Sequence, residues 1–321
     1  MKKKILVTAP LDFLEDLKQT IENEFDCHYS YQSTKDQIKE ILSNNRFEAW
    51  LVAPCPTYFV DSELVDLCPT LKIISTPSTG TSHINVDEVK ERNIQIFALK
   101  GTDVVENIFA SSEFTFNLLI STIRKTPYAF QAVKSGKWRE VEGKYRGREL
   151  NGLTIGIIGF GRIGGNLAKY CQSFGMNILA YDPYIKINKK DVVQCSSLQD
   201  LLSKADIVSP CVHLDKDTFH MMNESTFSLM KDGSYFINTA RGDVVNESDL
   251  IDSLKNGKIL AAGVDVISNE YLGNKDLHPL INYAKENDNL IVTPHMAGLT
   301  YDSERKAQKA AYMAIKKCLG E

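Results

Sequence analysis

One segment constrains the fold of this chain more than any other, a glycine-rich turn between two apolar runs. Residues 154–158 are apolar enough for a buried strand, and Gly159-Phe160-Gly161-Arg162-Ile163-Gly164 follows directly and opens a helix-compatible stretch. The next strand-like run ends at Asp182, close to the spacing of about 20 residues that is typical of dinucleotide-binding units. Together they predict a βαβ unit that binds a pyrophosphate at the helix N-terminus.

The residue types in this segment also indicate which dinucleotide binds. The three glycines let the turn tighten and let the backbone approach the pyrophosphate, while Arg162 and Ile163 lie at the start of the helix and would line the cofactor. Asp182 would accept hydrogen bonds from ribose hydroxyls and repel a 2′-phosphate, so we predict NAD(H) rather than NADP(H). The alternative is a glycine-rich turn that binds nothing, with Asp182 as an ordinary turn residue.

Length, charge and cysteine usage exclude several classes of protein. The 321 residues suffice for two domains, and a net charge of -4 argues against nucleic acid and anionic membranes as partners. The apolar run at the N-terminus stops at Thr8, too short for a signal peptide, and no stretch approaches a membrane span. The seven cysteines are scattered and lack a C-x-x-C pair, which indicates a cytoplasmic protein with neither disulfides nor a metal site.

Strand-like and helix-like patterns alternate over most of the chain. Buried strands are predicted at residues 4–8, 49–53, 71–76 and 94–98, then at 153–158, 177–181, 207–212, 234–238, 261–266 and 290–293. Helical spacing is found at residues 11–24, 161–174 and 301–319. Repeated β-α-β units imply an α/β fold whose parallel sheets are covered on both faces.

The stretch between these two series of strands has a different character. Residues 103–123 are continuously helix-compatible, and their apolar residues are too many for one narrow stripe. We therefore predict one mostly buried helix between domains or subunits. Residues 126–150, with Pro127 and several glycines among charged residues, predict an irregular arm.

Three short segments at predicted strand ends carry polar groups that could act on a ligand. They are residues 238–242, 263–270 and 293–298. Arg241 follows a buried strand at its carboxyl end, where open α/β sheets bind their ligands. Its planar guanidinium suits a carboxylate.

With these segments in view, the chain resembles the D-isomer-specific 2-hydroxyacid dehydrogenase family, in particular its phosphoglycerate dehydrogenase-like branch without a regulatory domain. The resemblance rests on residues 152–164, 174–183, 238–242 and 294–298, which stand in the family's order and spacing. It implies an NAD-dependent oxidoreductase that interconverts a 2-keto acid and a D-2-hydroxy acid by hydride transfer. The catalytic candidates that it implies are Arg241, which would anchor the substrate carboxylate and carbonyl, and His295 with Glu270, which would form a proton relay.

The resemblance also implies which residues surround the cofactor and the substrate. The further cofactor-lining positions are Cys211, Val212, Thr239, Ala240 and Asp265. The backbone amides of Ser78, Thr79 and Gly80 would hold the substrate carboxylate, and His83 is open between substrate contact and a structural role. The chemistry agrees, because a keto acid needs a hydride at carbon and a proton at oxygen, and histidine exchanges protons near neutral pH.

The domain organisation that follows is two Rossmann-like, doubly wound parallel-sheet domains with a cleft between them. Residues 1–101 and 297–321 would form a flavodoxin-like substrate domain, and residues 102–296 the NAD-binding Rossmann domain. Within the latter, the helix and arm over residues 103–150 would form a homodimer.

Three alternatives within and beyond the family bear on the function. The substrate 3-phosphoglycerate is disfavoured, because Ala53 and Thr76 stand where relatives carry arginines for its phosphate and the chain stops at Glu321 without a regulatory domain. Glu270 argues against the formate dehydrogenase branch, which pairs its histidine with glutamine. An NAD(H)-sensing, corepressor-like interaction protein stays open as the other function, since such relatives retain the same Arg, Glu and His.

Overall fold

The apolar runs form the strands of two separate parallel sheets in the computed structural model, which describes residues 2–270 and 275–320. The chain divides into two compact units, Met1–Ile108 with Leu299–Glu321, and Phe109–Gly298. Each unit carries one of the sheets. The α/β class with doubly wound parallel sheets, predicted from the sequence, is confirmed.

The first unit has a five-stranded sheet in the order β2-β1-β3-β4-β5. Its strands are β1 Lys4–Val7, β2 Asp26–Tyr29, β3 Ala49–Leu51, β4 Ile73–Ser75 and β5 Gln95–Phe97. Its helices are Glu15–Glu24, Lys35–Asn44, Ser62–Val65, Val86–Glu91, Asp103–Glu106 and Tyr301–Leu319. All neighbouring strands pair in parallel, which is the flavodoxin-like arrangement.

The C-terminal helix Tyr301–Leu319 completes this first unit by covering one face of its sheet. Tyr312 and Ile315 pack in one buried apolar cluster with Ile5 of β1. The hydroxyl of Ser75 donates a hydrogen bond to a carbonyl in the middle of this helix, at 2.8 Å. Strands covered on both faces read as continuous apolar runs, which is why the sequence located them well.

The second unit has a seven-stranded sheet in the order β12-β11-β10-β9-β6-β7-β8, parallel throughout. Its strands are β6 Thr154–Ile158, β7 Asn177–Tyr181, β8 Val192–Gln194, β9 Ile207–Pro210, β10 Ser234–Asn238, β11 Ile259–Val264 and β12 Leu290–Val292. Its helices are Ala110–Ile123, Thr126–Lys134, Arg162–Ser173, Leu198–Lys204, Glu224–Leu229, Glu247–Lys255 and Pro279–Glu286, with 3-10 turns at Arg139–Tyr145, Gly242–Val244 and Lys275–Leu277. The strand order reverses between β6 and β9, the point at which Rossmann folds bind nucleotides.

The prediction of one continuous helix over residues 103–123 is wrong. Two helices occur, Asp103–Glu106 and Ala110–Ile123, and the chain passes from the first unit to the second between them. Neither glycine nor proline marks the break. The carbonyl of Asn107 accepts a hydrogen bond from the Lys306 ammonium at 2.8 Å, a contact between residues far apart in the chain that local spacing cannot reveal.

The prediction of an irregular arm over residues 126–150 is wrong for its first part, which is the helix Thr126–Lys134. Pro127 lies in the first turn of this helix, where its missing N–H costs nothing. Gly136, in the left-handed region with φ 80°, follows the end of the helix. No helix in the described part of the chain combines the length and the apolar character that crossing a membrane requires.

Candidate active site

The glycine-rich turn joins β6 to its helix at the point where the strand order reverses. Gly159 has φ 87°, and a Cβ there would lie 2.8 Å from the Cys211 carbonyl oxygen. A Cβ on Gly164 would overlap the Gly159 carbonyl oxygen. Gly161, which precedes the helix, instead faces open space with no neighbouring atom within 4 Å. The chain itself thus requires the first and third glycines, and the second leaves room for a pyrophosphate to approach the backbone.

Asp182, at the end of β7, stabilises two turns, the glycine-rich turn and the turn that follows Asp182 itself. One carboxylate oxygen accepts a hydrogen bond from Phe160 N at 2.8 Å, and the other accepts from Tyr184 N and Ile185 N at 2.9 and 3.1 Å. A carboxylate has about four acceptor positions, so capacity for a ribose hydroxyl is left. The structural and the ligand-binding interpretations of Asp182 are therefore compatible.

The loop after β9 forms the neighbouring wall of the glycine turn. Its Cys211 carbonyl and the Val212 side chain are the atoms nearest to a Cβ placed on Gly159. Burial raises the pKa of the Cys211 thiol to about 12, so this thiol is protonated at neutral pH. The two residues consequently present an uncharged surface to whatever occupies the turn. Arg162 and Ile163 are half-buried at the start of the helix.

The three polar segments lie side by side, because β10, β11 and β12 are neighbours and end at the same level. Asn238 pairs with Val264, which in turn pairs with Val292. Just beyond these ends, a Cβ on Gly242 would overlap the peptide between Ile267 and Ser268. Only glycine permits this approach, which brings the Arg241 loop against the segment that ends at Glu270.

Arg241 is oriented by the side chain of Asn238. The Asn238 amide accepts a hydrogen bond from Ala240 N at 3.0 Å and donates one to the Arg241 carbonyl at 2.9 Å. The half-buried guanidinium donates to the Ala240 carbonyl at 2.6 Å. Since a guanidinium has several N–H donors in a planar fork, this bond orients Arg241 and leaves donors for a carboxylate or a carbonyl oxygen.

His295 and Glu270 form a hydrogen-bonded pair. His295 Nδ1 lies 2.8 Å from Glu270 Oε2, with 30% and 15% of the two side chains exposed. Because Nδ1 faces a carboxylate, Nε2 is the nitrogen left to exchange a proton with a ligand. His295 has φ 51°, a strained conformation for a residue with a side chain and one that recurs at active sites.

Asp265 holds the loop that carries His295. It is 1% exposed, and its carboxylate accepts hydrogen bonds from Thr293 Oγ1, Met296 N and Ala297 N at 2.5, 2.9 and 2.8 Å. Its carbonyl accepts from His295 N at 2.9 Å. These bonds give Asp265 a positioning role, while its contact with the cofactor stays a prediction.

Two other residues predicted to line the cofactor have described contacts of their own. The Thr239 hydroxyl is 2.6 Å from the Thr115 hydroxyl on the helix Ala110–Ile123, in the interior of the unit. The Ala240 amide is bound to Asn238. Thr239 is therefore oriented towards the protein, and a cofactor would meet its backbone.

Nearby, burial raises the pKa of the Asp243 carboxyl; His220 opposes this rise and Glu270 adds to it.

The predicted substrate loop follows β4 in the first unit. Ser78 Oγ donates to the Gly80 carbonyl at 2.6 Å and lies 3.0 Å from Thr76 Oγ1. Among the hydrogen bonds found within the described residues, none is donated by the amides of Ser78, Thr79 or Gly80. The loop thus presents consecutive amides, an arrangement suited to an anion. His83, in the same unit, is 2% exposed.

Sequence reasoning missed two side chains that border the site, Glu247 and His278. Both Glu247 carboxylate oxygens accept hydrogen bonds from Ser268, from its amide and its hydroxyl, each at 2.7 Å. His278 Nε2 lies 3.3 Å from Glu247 Oε2. In the sequence Glu247 looks like an ordinary acid in the first turn of a helix, and nothing in the sequence ties it to His278.

Comparison with known proteins agrees with this geometry. The family model described as "D-isomer specific 2-hydroxyacid dehydrogenase, NAD binding domain" matches residues 116–297, and the catalytic-domain model of the same family matches residues 5–135. The chain belongs to the D-isomer specific 2-hydroxyacid dehydrogenase family. It is an NAD(H)-dependent oxidoreductase of 2-keto and D-2-hydroxy acids, so the family, the enzyme class and the cofactor predicted from the sequence are confirmed.

Several relatives of this dehydrogenase align over most of its length. Glyoxylate reductase from Thermofilum pendens is 38% identical over 92% of this chain and 86% of its own. D-3-phosphoglycerate dehydrogenase from Methanocaldococcus jannaschii is 31% identical over 98% of this chain but 57% of its own. The solved structure of D-lactate dehydrogenase from Aquifex aeolicus, complexed with NAD and lactic acid, has 29% identity and a TM-score of 0.81 over 99% of this chain and 96% of its own.

Proposed function

We propose that this dehydrogenase reduces a small 2-keto acid, with His295 as the proton donor, Glu270 as the carboxylate that supports it and Arg241 as the anchor of the substrate. The observation that carries the proposal is the 2.8 Å bond between His295 Nδ1 and Glu270 Oε2. The loops that carry this pair and Arg241 follow the carboxyl ends of β10, β11 and β12. This is the edge of the sheet at which open α/β folds bind ligands.

Each of these residues has its own role in the reaction. When bound, NADH supplies a hydride to the carbonyl carbon. His295 Nε2 gives a proton to the carbonyl oxygen, and Glu270 keeps the imidazole oriented through its bond to Nδ1. Arg241 stabilises the negative charge that develops on that oxygen. In the oxidation direction, His295 accepts the proton instead.

The two units would hold the two ligands through different loops. In Phe109–Gly298, the turn from Gly159 to Gly164 would bind the pyrophosphate and Asp182 the ribose, with Arg162 and Ile163 at the helix start. The other cofactor-lining candidates in this unit are Cys211, Val212, Thr239, Ala240 and Asp265. In the first unit, the amides of Ser78, Thr79 and Gly80 would bind the substrate carboxylate.

We infer that the substrate is small and carries no phosphate, with glyoxylate the first compound to test. Several proteins similar to this chain over most of its length are named glyoxylate reductases. Ala53 and Thr76, at the ends of β3 and β4, supply no cation for a phosphate group. Both observations favour a short 2-keto acid over the substrate of the phosphoglycerate dehydrogenases.

The test is NADH oxidation with a panel of 2-keto acids, namely glyoxylate, pyruvate, hydroxypyruvate and phenylpyruvate, beside NAD reduction with 3-phosphoglycerate. We expect the highest kcat/KM with one of the short keto acids. Turnover of 3-phosphoglycerate above all others would contradict the proposed substrate. Tight NADH binding without turnover of any keto acid would instead favour the NAD(H)-sensing interaction protein.

Substituting Asp182 by asparagine should reduce the discrimination between NADH and NADPH by about tenfold or more, because the carboxylate that repels a 2′-phosphate is removed. The measurement is the ratio of the two Kd values from cofactor fluorescence. The ratio is diagnostic because the variant also disturbs the bond to Phe160 N, which would weaken both cofactors alike. An unchanged ratio would show that Asp182 does not contact the ribose.

We also propose that the dehydrogenase is a cytoplasmic homodimer. The helix Thr126–Lys134 and the turn after it present Phe130, Val133 and Trp138 to solvent, the last 70% exposed, and aromatic residues are enriched at protein interfaces. Tyr128 anchors this helix by donating to the Leu290 carbonyl. The scattered cysteines, which include no C-x-x-C pair, favour a reducing compartment. Light scattering should give twice the 36.0 kDa of one chain, and Trp138→Glu should lower that mass.

A further inference from the structure

We propose that Glu247 and His278 form a buried pair that positions Glu270 for its hydrogen bond to His295. Both are positioning residues, since neither would touch the substrate or the cofactor. The inference rests on the proposed role of Glu270 and concerns how that carboxylate is kept in place. Its starting point is that the pair binds every polar group of Ser268, two residues before Glu270.

The segment that carries Glu270 needs such an anchor. After β11 ends at Val264, the chain runs without regular structure to Glu270. Asn269 has φ 52°, in the left-handed region, which asparagine adopts more readily than most residues with a side chain. On one side, Ser268 and Asn269 line a surface groove of about 770 Å³. Apolar packing holds the segment as far as Ile267, which packs against the core of the unit, and the polar groups of Ser268 beyond it are held by hydrogen bonds.

Glu247 binds Ser268 from the start of the helix Glu247–Lys255. Its Oε1 accepts from the Ser268 amide and its Oε2 from the Ser268 hydroxyl, both at 2.7 Å. The carboxylate is 10% exposed, and it stands at the helix N-terminus, where the dipole favours a negative charge. Charge-assisted hydrogen bonds donated to a carboxylate are about twice as strong as neutral ones.

His278 completes the anchor from the other side. Its Nε2 is 3.2 Å from the Ser268 carbonyl oxygen and 3.3 Å from Glu247 Oε2. Both oxygens can only accept hydrogen bonds, so Nε2 carries a proton, and this proton is shared between them. Its Nδ1 is buried and has no partner among the described residues. The polar contacts of this imidazole are thus directed to Ser268 and Glu247.

This anchor acts on two parts of the site, the Glu270 carboxylate and the loop that carries Arg241. Ser268 lies two residues before Glu270, so a shift of Ser268 moves the carboxylate that is 2.8 Å from His295 Nδ1. The Ser268 amide also packs directly on Gly242, the residue after Arg241. A misplacement of about 1 Å in a site of this kind can cost about 100-fold in rate. Loss of the anchor should therefore lower kcat while cofactor binding persists.

A double-mutant cycle between Glu247 and Glu270 tests the inference, with NADH oxidation by glyoxylate, or by pyruvate if it is turned over faster, as the assay. We expect Glu247→Ala to lower kcat by about 10-fold to 100-fold in the otherwise unchanged protein, and by less than about 3-fold in a protein that already carries Glu270→Gln. The Kd for NADH, from fluorescence, should change by less than about 3-fold in each variant. Such non-additivity is the mark of one residue acting through another.

Four further variants separate positioning from general stability. His278→Gln retains a donor near the place of Nε2 and should keep kcat within about 3-fold, whereas His278→Ala should lower it by about 10-fold. Ser268→Ala removes one bond only and should give a smaller loss, again absent beside Glu270→Gln. Asp249→Ala is the matched control: Asp249 lies in the same first turn, but it accepts from Glu224 N at 2.9 Å, at the start of the helix Glu224–Leu229. Its effect should be equal with and without Glu270→Gln.

The outcomes distinguish this inference from the proposed function. Equal losses from Glu247→Ala in both backgrounds, or no loss in either, would overturn the positioning role and leave that of Glu270 intact. An unchanged kcat in Glu270→Gln alone would overturn the proposed role of Glu270 and this inference with it. If Glu247→Ala does not fold, as judged by circular dichroism, the cycle with Ser268→Ala decides by the same criterion.

Discussion

Replacing His295 by alanine is expected to lower kcat for 2-keto acid reduction by about 10²-fold to 10⁴-fold, the usual contribution of a positioned acid or base. The reason is that Nδ1 is held by Glu270 at 2.8 Å, so in the proposed mechanism Nε2 gives the proton to the carbonyl oxygen. The Kd for NADH should stay within about twofold, because the glycine turn and Asp182 are unchanged. Steady-state NADH oxidation and fluorescence titration give the two values.

His28→Ala is the matched control for this substitution. His28 lies on the edge strand β2 of the first sheet and packs against the ring of Phe47, outside the proposed site. Its replacement should leave kcat nearly unchanged even if the unfolding temperature falls. Should His295→Ala weaken NADH binding as strongly as it lowers turnover, the residue would be structural and the proton-donor role would be wrong.

Replacing Arg241 by glutamine should lower kcat/KM by about 10²-fold to 10³-fold, the usual effect of removing one donor to a developing oxyanion. Arg241 is expected to bind the carboxylate in the ground state and to stabilise negative charge in the transition state. Both parameters should therefore suffer, with KM rising and kcat falling. The measurement is the dependence of the rate on the concentration of glyoxylate at saturating NADH.

Two comparisons show whether the geometry of Arg241 matters or only its charge. Arg241→Lys keeps the charge but not the planar fork, and should recover only part of the activity. Arg146→Gln removes an exposed arginine that follows the 3-10 turn Arg139–Tyr145 and should leave kcat/KM within about twofold. If Arg241→Gln raised KM and left kcat unchanged, the guanidinium would be a binding group alone, without a part in the transition state.

Much of the fold could be predicted because its signals are local. The strands at residues 177–181 and 234–238 and the helix at 301–319 have the predicted bounds. Each combines a strong apolar pattern with a clear local end. The glycine turn was equally readable, since the positive φ of Gly159 and the tight approach at Gly164 can be met only by glycine.

One prediction failed where a contact with a distant part of the chain accompanies the local structure. The break at residues 107–109 has neither glycine nor proline, and its Asn107 carbonyl is bound by Lys306 of the C-terminal helix. The other wrong prediction has a local cause: Pro127 and the glycines after it predict an irregular arm, although proline is favourable in the first turn of the helix that begins at Thr126.

The sequence by itself determined the α/β class, the position of the dinucleotide turn and the preference for NAD(H), because these follow from residue types at short spacing. The roles of Arg241, Glu270 and His295 are implied by the resemblance to the family and stay predictions. Only the tertiary structure decided that His295 and Glu270 are 2.8 Å apart, that Gly242 lies on the Ser268 peptide, and that Glu247 and His278 hold Ser268. Hydrogen bonds depend on distances of tenths of an ångström, and such distances between remote residues are set by the packing of neighbouring strand ends.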